Sequence, residues 1–171
     1  MWETIAAEAA AESPLWAEAL LPEAEQVHEP VFSRLAQAGH ALGLETIYEG
    51  YLVHYGRSRL FSPDDPDTAL LLGDYLYAYG LVRVAATGDV AAVADLAELI
   101  SLCTQARAEG RNGDGAAWAA TAASLGAGNL GPARDALRVR HDANPLEAAA
   151  RAAAGDDAVE GALAAHARLV G

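Results

Sequence analysis

The stretch "PDTALLLGDYLYAYGLVRVAATGDVAAVADLAELISLCTQARAE", residues 66–109, decides the fold. It opens on a proline behind Asp64 and Asp65. Either aspartate suits an N-cap, because a short carboxylate accepts the backbone N–H groups that the first helical turn leaves unpaired. The aliphatic and aromatic run that follows predicts a helix from Pro66 to Thr87. Gly88 tolerates a left-handed C-terminal turn, and Asp89 caps a second helix, Val90 to Glu109. In that second helix Val93, Leu96, Ile100 and Cys103 or Thr104 fall on one stripe, with Asp95, Glu98 and Gln105 elsewhere. So short a connection predicts an antiparallel hairpin. Asp74 stands inside the first helix, behind Gly73, where a carboxylate is costly to bury unless something pairs with it.

The same chemistry extends in both directions. Alanine dominates the composition, in runs such as 6–11, 116–123 and 148–154, and it is the best helix former and a poor strand former. No alternation of β-branched residues marks a strand, so the expected class is all-α, a compact helical bundle. At 171 residues the chain is long enough for one domain. It divides into acidic N-terminal helices (1–30), core helices (31–110) and Ala-rich C-terminal helices (111–171). Ser13 and Pro14 start a short helix that Pro22 and Pro30 then interrupt. A longer helix is expected from about Val31 to Leu42, and "ETIYEGYLVHYG" reads as a helix with a weak point at Gly50. The loop "EGRNGDG" precedes an Ala-rich helix over about 116–125. Leu146 to Val170 reads as two helices split by "AGDD". Aromatics are only 6% of the chain, so Trp2, Trp16, Phe32, Phe61, the tyrosines from Tyr48 to Tyr79 and Trp118 must anchor small-residue interfaces.

Charge excludes several functions. The formal net charge is -13, and all eleven cations are arginines. The absence of lysine removes Schiff-base and P-loop chemistry, and the acidity argues against nucleic acid as a partner. Cys103 is alone and reads as a small core residue. His28, His40, His54, His141 and His166 lack metal-ligand spacing. Residues 126–131, "GAGNLG", match the dinucleotide-binding GxGxxG pattern but follow an alanine run instead of a strand, so they read as a helix end and loop. The N-terminus lacks a cationic signal region, and residues 69–86 carry Asp74 and Arg83, so the expectation is a cytoplasmic protein with no membrane insertion.

"GRSR" places Arg57 and Arg59 in a glycine-opened loop, where two guanidinium forks can clamp a phosphate or pair with the nearby "DDPD" acids. From Gly56 to about Gly110 the chain resembles the middle of the trans-isoprenyl diphosphate synthases, the polyprenyl synthetase family. Arg57 and Arg59, then "LLLGDYLYAYGLVRVAATGD", then "VAAVADLAELISLCTQARAEG", follow that family's order of arginine loop, Gly-Asp helix and hairpin. "WAATAASLGAG" is similar to its next helix.

The resemblance implies part of the isoprenoid synthase fold, diphosphate binding at Arg57 and Arg59, and a degenerate metal site at Glu45, Glu49 and Asp74. The family holds Mg²⁺ with aspartates at i, i+1 and i+4, which share one helix face. Here the corresponding stretch is Glu45-Thr46-Ile47-Tyr48-Glu49. The family's lysine is missing, and Asp156-Asp157 falls too late for a second motif. The implied role is therefore an accessory or regulatory subunit of a prenyl diphosphate synthase, without catalytic residues and without a cofactor. Its partner is a catalytic synthase subunit or a second copy, met through Tyr75, Leu76, Tyr79 and Val82. The alternatives are a stand-alone helical binding or scaffold protein, and a reduced prenyltransferase that would need Mg²⁺.

Overall fold

The computed structural model describes residues 1–170, and all regular structure there is helical. Nine helices follow one another: α1 (Trp2–Glu12), α2 (Pro14–Glu18), α3 (Ala41–Tyr55), α4 (Pro66–Ala85), α5 (Val90–Ala108), α6 (Asp114–Ala123), α7 (Gly131–Arg140), α8 (Asn144–Ala154) and α9 (Asp156–Val170). The all-α class and the capped hairpin are as the sequence predicts. Asp65 Oδ1 accepts from the N–H groups of Asp67 and Thr68 at 3.0 and 2.9 Å, and Asp89 Oδ1 from that of Ala92 at 2.9 Å. Gly88 takes the left-handed turn, at φ +82°.

The predicted helix from Val31 to Leu42 does not form. That segment holds two 3₁₀ turns, Ser33–Leu35 and Ala38–His40, and the helix begins only at Ala41. The reason is chemical: Glu45 Oε1 accepts the N–H groups of both Val31 and Ser33 at 3.1 Å, tying down an irregular backbone.

α3 is the central element, buried on every side from Gly43 to Leu52. Burial on every side leaves the polar groups of this helix, Glu45 and Glu49 above all, in need of partners. Its closest neighbour is α4, and glycines set that approach. A Cβ on Gly50 would lie 2.8 Å from Gly73 O, and one on Gly80 would lie 2.8 Å from Gly43 O. Gly50 is thus a contact point, and α3 runs through it without a break. The main core gathers around Trp118, which meets Phe32, Tyr48 and Tyr51 with ring centroids 5.6, 4.9 and 5.5 Å away. A smaller core under α1 and α2 includes Ile5, Leu60, Phe61, Leu72 and Leu76. Cys103 is buried in the main core. Residues 19–27 form a strap over the loop 58–62, through Leu21 N–H to Leu60 O (2.9 Å), Val27 N–H to Arg59 O (3.0 Å) and Ser62 N–H to Ala19 O (2.7 Å).

Candidate functional site

Two carboxylates four residues apart on α3 meet the arginine loop inside the protein. Glu45, Glu49 and Arg59 are all at most 1% exposed. Arg59 Nη1 lies 2.8 Å from Glu45 Oε2, and Arg59 Nε lies 2.9 Å from Glu49 Oε2. Each carboxylate gives its other oxygen to backbone. Glu45 Oε1 holds residues 31–33, while Glu49 Oε1 accepts from the N–H groups of Arg59 (2.7 Å) and Leu60 (2.9 Å) and from Ser58 Oγ. Arg59 Nη1 also donates to Glu29 O at 2.8 Å. The guanidinium is flanked by Trp2 and Tyr48, whose ring centroids lie 4.6 and 5.1 Å from its central carbon. Burial works against the charge on Arg59, but the two carboxylates outweigh it and hold its pKa above the ordinary value. This is a latch that fastens two loops to α3.

The latch corrects three expectations. Arg59 spends its strongest donors on Glu45 and Glu49, not on the "DDPD" acids. Asp74 does not join the two glutamates. It lies exposed on α4, paired with His54 Nε2 at 3.2 Å. Of the four residues read as partner-facing, Leu76 is 1% exposed, within the smaller core. Tyr75 packs edge-on to Trp16 and stacks on Tyr79, and Arg83 covers Tyr79. Both tyrosines therefore turn toward the N-terminal helices. Val82, 61% exposed, presents outward. Arg57 is also exposed and has no ion-pair partner among the described residues.

A second polar cluster carried no sequence motif. Asp114, at the start of α6, lies 2.6 Å from Arg107 Nη2 and 3.3 Å from His166 Nε2, and it accepts from Tyr51 Oη. Tyr48 Oη lies 2.9 Å from His166 Nδ1. Burial opposes ionisation of Asp114, but His166 and Tyr51 hydrogen bonds and the charge of Arg107 outweigh it, holding the carboxyl well below its usual range. Burial, with Asp114 adding to it at Tyr51, pushes the phenols of Tyr48 and Tyr51 far up. Aromatic rings fill the surrounding space, so the cluster cross-links α3, α5, α6 and α9 and encloses no substrate cavity. Among the described residues no group of three or more His, Cys, Asp or Glu side chains is arranged to hold a metal ion.

Open space lies elsewhere. A cleft of about 500 Å³ sits between the strap, the C-terminal part of α3 and the loop 56–63, with Arg57 in its lining. Two further depressions, of about 100 and 380 Å³, run along α9 beside residues 27–34 and include Arg168. Sequence reasoning missed Arg168 and the strap because only the chain's closure brings them to the arginine loop. No described helix is long and apolar enough to cross a membrane. No protein-family model, curated protein or solved structure matches the chain.

Proposed function

We propose that this chain is a non-catalytic helical subunit of a prenyl diphosphate synthase, pairing with a catalytic subunit through the outer face of α4 and α5. The observation that carries the reading is the closed latch. Glu45 and Glu49, where the resemblance expects metal-bridging carboxylates, are occupied by Arg59 and by backbone donors, so neither is free to bridge a metal ion to a diphosphate. Prenyl transfer by ionisation needs its diphosphate leaving group stabilised by positive charge, and a latch of this kind supplies none. The docking half of the proposal draws on α4, where Leu71, Asp74, Ala78, Val82 and Ala85 form one exposed stripe, continued by Val90, 79% exposed, across the turn to α5. A largely apolar stripe, interrupted by Asp74, on a surface otherwise rich in charge is a natural interaction surface.

The test is co-expression with a catalytic prenyl synthase subunit from the same genome, followed by size-exclusion chromatography with light scattering and a product chain-length assay. A heterodimer with altered product length is expected, and Val82→Glu with Val90→Glu should dissociate it while leaving the chain's own melting temperature unchanged. A strictly monomeric chain with no complex would leave the stand-alone binding protein as the better reading. Mg²⁺-dependent turnover of an allylic diphosphate by the chain alone would overturn the non-catalytic assignment.

A further inference from the structure

The cleft under the strap is a separate feature from the α4–α5 face, and it combines two kinds of surface. Its volume of about 500 Å³ lies within the roughly 300–1,000 Å³ usual for small-molecule pockets. Leu21, Val27 and Val53, backed by the buried Leu52 and Phe61, give it apolar walls, Ser58 and Ser62 line it beside them, and the exposed Arg57 gives it a cation. Val27 and Arg57 also line the adjoining crevice of about 100 Å³, which reaches Arg59 and Arg168. There the latch leaves one donor over: Arg59 is 1% exposed, and its Nη2 is buried with no hydrogen-bond partner among the described residues. A guanidinium N–H left unpaired in an interior is costly, and an acceptor would satisfy it only by displacing the groups that cover it on the crevice side.

We propose that the cleft binds a monoanionic amphiphile, a medium-chain carboxylate. Its head lies between Arg57 and Arg59 Nη2, and its chain lies along the walls of the larger cleft. Charge selects the head group. Glu25 also lines the cleft, Glu29 lines the crevice within 3.9 Å of Arg168, and Glu45, Glu49 and Arg59 together leave one net negative charge behind it. On a chain of net charge -13 these repel a multiply charged head, whereas a single carboxylate fits the fork of Arg57, which has no ion-pair partner among the described residues. The same balance disfavours a diphosphate at Arg57. This inference does not depend on the docking proposal, since the cleft lies on the strap side of α3.

The test is calorimetric titration of the full chain with decanoate below its micelle concentration, without Mg²⁺, beside decanol, inorganic pyrophosphate and decyltrimethylammonium. Decanoate should bind at one site per chain and more tightly than the other three. Arg57→Gln, an exposed change, should weaken decanoate about tenfold or more, as loss of a charge-assisted hydrogen bond does, and leave decanol unaffected. Ala69→Trp, which fills the cleft from the α4 side, should abolish binding of both. Thermal melts report whether each variant folds, and Arg57→Gln carries the test if Ala69→Trp does not. The proposal is overturned if wild-type protein gives no saturable heat with decanoate, if Arg57→Gln binds it as tightly as wild type, or if pyrophosphate displaces it.

Discussion

Replacing Arg59 with methionine keeps most of the side-chain volume and removes the charge that Glu45 and Glu49 share. Both carboxylates then stay in an interior where neither is measurably exposed, Glu45 retaining only its backbone donors and Glu49 its backbone donors and Ser58 Oγ. Removing one partner of a buried ion pair costs about 3–5 kcal/mol, because the remaining charge is left uncompensated. With an m-value of roughly 2 kcal/mol/M, that lowers the urea midpoint by about 2 M. Stability lost this way is recoverable, and that separates electrostatics from packing. The triple variant Glu45→Gln, Glu49→Gln, Arg59→Met leaves no buried charge and retains amide oxygens to accept the N–H groups of Val31, Ser33, Arg59 and Leu60. It should regain at least half of the single variant's loss, a coupling of about 2 kcal/mol or more, within the range for contacting residues. Urea unfolding followed by circular dichroism at pH 7 measures all three proteins. If Arg59→Met costs under about 1 kcal/mol, against the 3–5 expected for a severed buried pair, the guanidinium is not a structural counter-ion. The carboxylates would then be open to other ligands, and the non-catalytic reading would lose its support.

Four further outcomes follow from packing and charge. Gly80→Ala should destabilise by about 1–3 kcal/mol despite the better helix propensity of alanine, since its Cβ meets backbone of α3. Gly161→Ala on α9, with nothing within 4 Å, should stabilise by up to about 1 kcal/mol in the same thermal assay. Of the six tyrosines, Tyr48, Tyr51 and Tyr77 are held well above the usual phenol value, chiefly by burial. Their protonated forms stabilise the fold below pH about 10, and that contribution falls as pH rises further. Phenolate absorbance should therefore show these three titrating only as the protein unfolds. Asp114 has the opposite sign. Its depressed pKa stabilises the fold at neutral pH, and the contribution is lost as pH falls below about 4, where the unfolded carboxyl takes up its proton. Asp114→Asn should cost about 2–3 kcal/mol at pH 7 and about 1 kcal/mol less at pH 3, measured by urea midpoints.

Local signals read well wherever one residue type had one physical use. Asp65 and Asp89 as caps, Gly88 as a left-handed turn, the split before Asp156 and the buried Cys103 all follow from chemistry that acts over a few residues. The failures share a cause in contacts distant along the chain. Val31 to Leu42 has helical spacing, yet Glu45 takes its N–H groups and leaves two 3₁₀ turns. Glu45 and Glu49 show their i, i+4 spacing in the sequence, but nothing local says that Arg59 lies between them. Asp114 and His166 are 52 positions apart in the numbering, and no motif announces that they meet beside Arg107 and Tyr51. Asp74 is the reverse case. Its apolar neighbours suggest burial, while the helical phase that carries Leu71 and Val82 carries it outward too.

The buried charges also bear on what this scaffold can become. An ion triad closed by backbone donors gains little net stability over well-packed apolar residues, but it fixes where each loop attaches. Here one arginine sets the geometry of the 29–33 segment, the 58–60 loop and α3 together. Any ligand that competes for Arg59 would therefore have to loosen two loops at once. A ligand that uses only its unpaired Nη2 leaves the latch intact. That distinction favours a weakly charged guest at the strap over a metal–diphosphate complex at α3, and it predicts that decanoate binding and unfolding stability rise together instead of trading off.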